Sequence, residues 1–125
     1  ESLAYQTRDL LDALAADGAP RLARLKVDGG VTANALAMQF VADICEVEVE
    51  RPAFQEMTAL GAAKLAALGV GLIDRLDIAP TETPAVWTPR MDAATRTRLL
   101  AGWAAAVRAT LAAAAELTPS QTDRP

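Results

Sequence analysis

Two short alternating runs, LARLKV at residues 22–27 and VEVER at 47–51, are each followed by a helical pattern. That order restricts the topology. A strand that reaches the next strand through a helix lies parallel to it, whereas antiparallel neighbours need only a tight turn. The chain therefore reads as α/β, in the order helix, strand, helix, strand, helix, linker, long helix. Two parallel strands alone do not make a stable sheet. Further strands must pair with them, most simply strands that precede Glu1. The chain starts without a methionine and directly in a helical pattern, so its start is expected to be a cut inside a larger domain.

The helices follow from spacing. In residues 2–20, Leu3, Leu10, Leu11 and Leu14 fall on one face, with Ala4 and Thr7 between them, and Asp17, Gly18 and Pro20 end the pattern. Residues 32–45 carry Ala33, Leu36, Phe40, Val41 and Ile44 in register, with Thr32 expected as N-cap. Leu25 and Val27 share one face of the first strand, and Pro52 stops the second. Residues 57–71 form a small-residue helix in which Gly61, Ala62 and Ala66 permit close approach to a sheet. Prolines at 80, 84 and 89 mark residues 72–89 as irregular. A long helix follows, capped by Asp92 and carrying Leu99, Leu100, Trp103 and Val107. The expected division is 1–79 as a partial domain, 80–91 as a proline-containing linker, 92–117 as the C-terminal helix and 118–125 as a disordered tail.

Composition excludes several functions. With 125 residues, 52% of them hydrophobic, the chain has enough apolar material for a core. Its net charge of −4 argues against a basic stripe for nucleic acid. The interspersed charges are expected on solvated helix faces. There is no histidine, which removes Ser-His-Asp, Cys-His and histidine-zinc chemistry. The single cysteine, Cys45, lies in an apolar run and is expected to be a core residue rather than a nucleophile. No stretch has the length and apolarity of a membrane span.

The one chemically suggestive stretch is VDGGVTAN, residues 27–34. A strand that turns through two glycines into a helix start lets a ligand approach the backbone, and the first helical N–H groups favour an anion. In open α/β sheets ligands bind beyond the carboxyl ends of the strands. Asn34 would offer a donor and an acceptor in the first helical turn. The stretch matches neither the phosphate loop nor the G-x-G-x-x-G pattern. On pattern alone the plainer reading, a tight turn in which Asp28 bonds its own backbone, is the favoured one.

Taken together, AYQTRDLLDAL, then LKVDGGVTAN, MQF, VERP and TALGAAKLA, then the proline segment and the long helix, resemble the FGGY family of carbohydrate kinases. The resemblance runs from about Ala4 to Arg108 and is to the carboxyl-terminal part of its glycerol kinases, more than to xylulokinase-like members, which tend to carry a third glycine in place of Asp28. It implies the later part of a ribonuclease-H-like domain of the actin and hexokinase type, the second and nucleotide-binding domain of a two-domain kinase. It implies that Gly30 and Asn34 contact the adenine nucleotide, that Gly29 serves the turn, and that residues 58–63 pack behind the site. Asp28 would cap or orient the loop, or serve as a purely structural cap. It implies ATP and Mg²⁺ as cofactors, glycerol as acceptor, the missing N-terminal part of the same protein as partner, a homo-oligomer and a cytoplasmic location. The phosphate loop and catalytic aspartate of the family lie elsewhere, so no catalytic residue and no metal ligand is assigned here, Asp28 and Asp43 included. Ala35, Ala37, Lys64 and the Gly71-Leu72 pair depart from the family pattern, which leaves the substrate and packing open, with a kinase for another polyol or sugar as the alternative; the non-methionine start and the alanine-rich last helix leave open an inactive truncated fragment.

Overall fold

The computed structural model describes residues 1–53, 57–76 and 83–117. Its elements are α1 (Ser2–Ala16), β1 (Arg24–Lys26), a 3-10 turn (Gly30–Ala33), α2 (Ala35–Cys45), β2 (Glu48–Arg51), α3 (Met57–Gly69), β3 (Ala85–Trp87) and α4 (Ala93–Leu117). The sheet order is β1-β2-β3. As the alternation of strands and helices requires, β1 pairs parallel to β2, with Leu25 opposite Val49. The third strand was not expected: β3 lies within the stretch taken as irregular and linker, and pairs antiparallel to β2 with Trp87 opposite Val49. Prolines 84 and 89 flank this three-residue strand without entering it, which is how an edge strand tolerates them.

Residues Glu1–Arg90 form one compact unit and Met91–Pro125 a second. In the first, α2 packs on β2 and β3, and α1 packs on α2. Met38, Val41, Ala42, Ile44 and Cys45 of α2 are buried with Val47 and Val49, and Ala4 and Tyr5 join them from α1. Tyr5 meets Phe40 edge to face, with centroids 5.6 Å apart. Two hydrogen bonds close α1: the Gly18 N–H donates to the Ala15 carbonyl and the Ala19 N–H to that of Leu14. This 5→2, 6→1 pair needs a left-handed residue, and Gly18 supplies it at φ +90°. Arg8 then reaches across, donating from Nη1 to the Ile44 carbonyl and to Glu46 at the end of α2, while its Nε pairs with Asp12.

Burial differs from the periodic pattern in three places. Leu10 and Leu36, both assigned to inward faces, are 60% and 83% exposed, because the residues that sink into the core are the smaller Ala4 and the neighbouring Met38. No residue of α3 is fully buried, Leu60 is half-buried, and the space around Gly61 is open among the described residues. The charges expected on helix faces include a strand-borne set: Arg24 bridges Glu48 and Glu50, and Lys26 lies 3.7 Å from Glu50. In the second unit Asp92 caps α4 as expected, its carboxylate accepting from the Thr95 N–H at 2.8 Å. The expected tail, 118–125, and residues 80–82 of the expected linker lie outside the described residues.

Cys45 is a core residue, as expected. It is buried, and its Sγ lies 3.7 Å from the Ala4 carbonyl oxygen. Burial pushes the thiol from 9.0 up to about 11, against a downward pull from Arg8. A raised thiol pKa keeps the folded form protonated after the unfolded chain has lost its proton. Its contribution is whole below pH 9 and is lost as pH rises towards 11. Urea titrations at pH 8 and pH 11 should therefore differ by roughly 2–3 kcal/mol more in the parent than in Cys45→Ala. Equal pH slopes in the two proteins would show that this thiol is not the responsible group.

Candidate functional site

The turn at residues 28–34 is held mainly by Thr32. Its backbone N–H and its hydroxyl both donate to the Gly29 carbonyl, at 3.0 and 2.7 Å. Thr32 is 2% exposed and lies in the 3-10 turn, so it is not the N-cap of α2. That position belongs to Asn34, whose Oδ1 accepts from the N–H groups of Leu36 and Ala37, both at 3.1 Å. A buried side chain is poorly placed to cap an exposed helix start, and Asn caps at least as well as Thr.

Gly29 adopts φ +90° and ψ 167°. That combination is essentially closed to residues with a Cβ. Gly30 is exposed, opens the 3-10 turn, and has no heavy atom within 4 Å of where a Cβ would stand. Asp28 is exposed and makes no side-chain cap to the turn. The structural reading of Asp28 as the residue that closes the turn is therefore replaced by Thr32. Gly29, Gly30 and Asn34 come together on one short segment between β1 and α2. Asn34 spends its oxygen on the helix start, and its Nδ2 donates to no group among the described residues.

Beyond the carboxyl ends of β1 and β2 lies a hollow of about 490 Å³, lined by Val27, Asp28, Glu50, Pro52, Met57 and Pro84 among others. Asp28 faces it, whereas Gly30 and Asn34 sit outside its lining. A second hollow, of about 210 Å³, lies by Leu14, Leu22, Cys45 and Val47 and includes none of the expected site residues. Asp43 is engaged: its Oδ1 accepts from the Arg90 N–H at 2.6 Å and from Gln39 at 3.1 Å, and Gln39 also donates to the Thr88 carbonyl. Asp43 fastens the segment after β3 to α2 and is not poised as a base. Among the described residues no three Asp, Glu, Cys or His side chains gather to hold a metal.

Sequence reasoning passed over Arg51. It donates from Nη1 to the Thr32 carbonyl at 2.8 Å, and its guanidinium lies 5.6 Å from the centroid of the Trp87 ring. A signal was present: strict alternation in β2 puts Arg51 on the face of Val49, which is fully buried. A charge on the core-facing side of a strand calls for a partner.

Replacing Gly29 by alanine should cost about 1–3 kcal/mol, from backbone strain alone. Gly30→Ala, with open space and no positive φ, should stay within about 0.5 kcal/mol of the parent. Denaturant titration of the two variants side by side tests this; equal losses would show that the positive φ is dispensable.

Comparisons with known proteins bear on the family and the fold. The model of the FGGY family of carbohydrate kinases, C-terminal domain, matches residues 1–70. The chain is 52% identical over 116 residues to the glycerol kinase of Shewanella baltica strain OS185, a match that covers 90% of this chain and 23% of that protein. It is 49% identical over 112 residues to glycerol kinase 2 of Pseudomonas aeruginosa, covering 88% of this chain and 22% of the relative. The chain thus spans under a quarter of the length of these relatives. Among solved structures, that of Plasmodium falciparum glycerol kinase with ADP matches at TM-score 0.69 and 37% identity, over 87% of this chain and 22% of that one. The fold is the expected α/β one, the later part of a ribonuclease-H-like domain. By the match of more than half its residues, the chain belongs to the FGGY family of carbohydrate kinases, within the C-terminal domain.

Proposed function

We propose that the whole protein is a glycerol kinase, transferring the γ-phosphoryl group of ATP to a glycerol hydroxyl, and that this chain carries part of its adenine-nucleotide site. The observation that carries the reading is the state of Asn34. Its Oδ1 is fixed by two backbone N–H groups, so its unspent Nδ2 is held in one direction, four residues along the turn from Gly30, whose surroundings are open. A donor whose orientation is already set loses little freedom when a ligand arrives. Two of the first N–H groups of α2 are also taken by Oδ1 and not left for phosphate. The segment therefore suits the neutral adenosine end of the nucleotide better than its charged end. ADP in the Plasmodium structure supports nucleotide use.

In this proposal Gly30 gives the adenosine access to the backbone, Asn34 donates to it, and Gly29 sets the turn that places both. ATP would supply the phosphoryl group, with Mg²⁺ screening its charge. No residue of this chain is assigned to the metal, and none is assigned as the base. Those roles, and most of the glycerol site, fall to the remaining part of the same protein. A cytoplasmic location and a homo-oligomer belong to the same proposal and rest on the family resemblance.

Asn34→Ser separates binding from folding. Serine caps a helix as well as asparagine does but has no amide donor. In the full-length protein this variant should weaken ATP binding by about 1–3 kcal/mol with little change in melting temperature. Calorimetric titration with ATP measures it, and an unchanged affinity removes Asn34 from the site. In a panel of polyols, glycerol should give the highest kcat/KM; a faster polyol would replace it as the acceptor.

A further inference from the structure

The strongest unexplained feature in the described residues is the inward-facing Arg51. Its Nε is buried and hydrogen-bonds to nothing among the described residues, and no carboxylate there pairs with the guanidinium. Taking a cation out of water is costly, and an apolar side chain of similar length would fill the same strand face more cheaply. What the guanidinium adds is a directed bond. It donates to the Thr32 carbonyl at 2.8 Å, and Thr32 in turn holds the Gly29 carbonyl through both its N–H and its hydroxyl. Trp87, on β3, supports the guanidinium from its ring face. A continuous link therefore runs from the sheet to the turn: Trp87, Arg51, Thr32, Gly29. Gly30 and Asn34 hang on the far end of that link.

We infer that Arg51 is a positioning residue of the adenine-nucleotide site, fixing the height and angle of the 29–34 turn over the sheet, with Trp87 as its support. The inference rests on the nucleotide reading given above. Arg51 touches no ligand in this scheme; it acts through Thr32. Its chemistry explains why a lysine would serve less well. The planar guanidinium can lie over the indole while one nitrogen reaches the carbonyl, whereas an ammonium offers a point charge on a flexible stem.

Steady-state kinetics on the full-length protein test this, with Arg51→Met, Arg51→Lys and Asn34→Ser measured together. Arg51→Met keeps the apolar stem and removes the bond. It should raise KM for ATP about tenfold, the equivalent of one hydrogen bond to a charged group, and move kcat and KM for glycerol by no more than about twofold. Arg51→Lys should recover part of the loss, to about threefold above the parent. If Arg51→Met does not fold, the lysine variant decides: a raised KM for ATP alone supports the inference, and an unchanged one overturns it. A lowered melting temperature with KM for ATP unchanged in Arg51→Met makes Arg51 purely structural and overturns it. Equal increases in both KM values overturn it also. If only Asn34→Ser raises KM for ATP, the nucleotide reading stands and the role of Arg51 falls; if neither variant moves it, both fall together.

Discussion

Packing of α2 against β2 is the contact on which the other elements depend. Met38, Ala42 and Ile44 are at most 2% exposed, and Val49, in the central strand, is fully buried. Burying side chains the size of Met38, Ile44 and Val49 stabilises by about 1.5–3 kcal/mol each, before the entropy of ordering them is set against it. β1 and β3 gain their places by pairing with the two edges of β2. α1 gains its place by packing on α2. The segment after β3 is tied to α2 through Gln39 and Asp43. The turn at residues 28–34 enters this framework from both ends, since β1 leads into it and α2 leads out.

Much of that framework is legible in the chain. Strict alternation in VEVER gives β2 and its inward face, and the Gly-Gly break after LKV gives the turn. Asp92 caps α4 because a short carboxylate before an alanine-rich run has one obvious use. Other features needed the third dimension. The strand AVW has only three residues between prolines, too few for a period to register, and it becomes a strand because β2 offers it an edge. Thr32 and Asn34 both belong to the residue types that start helices, and choosing between them depends on which one the 3-10 turn buries. Gly29 and Gly30 look alike in sequence; only the backbone angles separate the strained position from the open one.

The apolar faces tell a different story from the core. Periodicity records the burial that a sequence is suited to, whereas exposure is set by the residues present to cover it. Leu36 and, in α1, Leu3, Leu10 and Leu14 follow a buried pattern yet are exposed, and no residue of α3 is fully buried. The chain covers under a quarter of its relatives' length, and among the described residues nothing covers these faces or pairs with the outer edge of β1.

The strand charges bear on how faithfully the sheet assembles. A slip of one residue between β1 and β2 would turn Leu25 away from Val49, so hydrophobic alternation already forbids it. A slip of two residues keeps every side chain on its own face, and alternation cannot detect it. Arg24 can in one direction: it sits between Glu48 and Glu50, and a slip of two places towards the end of β2 would leave Glu48 behind and put Pro52 in place of a carboxylate. Lys26 adds a second mark beside Glu50. Apolar side chains thus choose the face and ion pairs choose the position along it, giving a sheet of short strands an alignment check that its few hydrogen bonds would not provide.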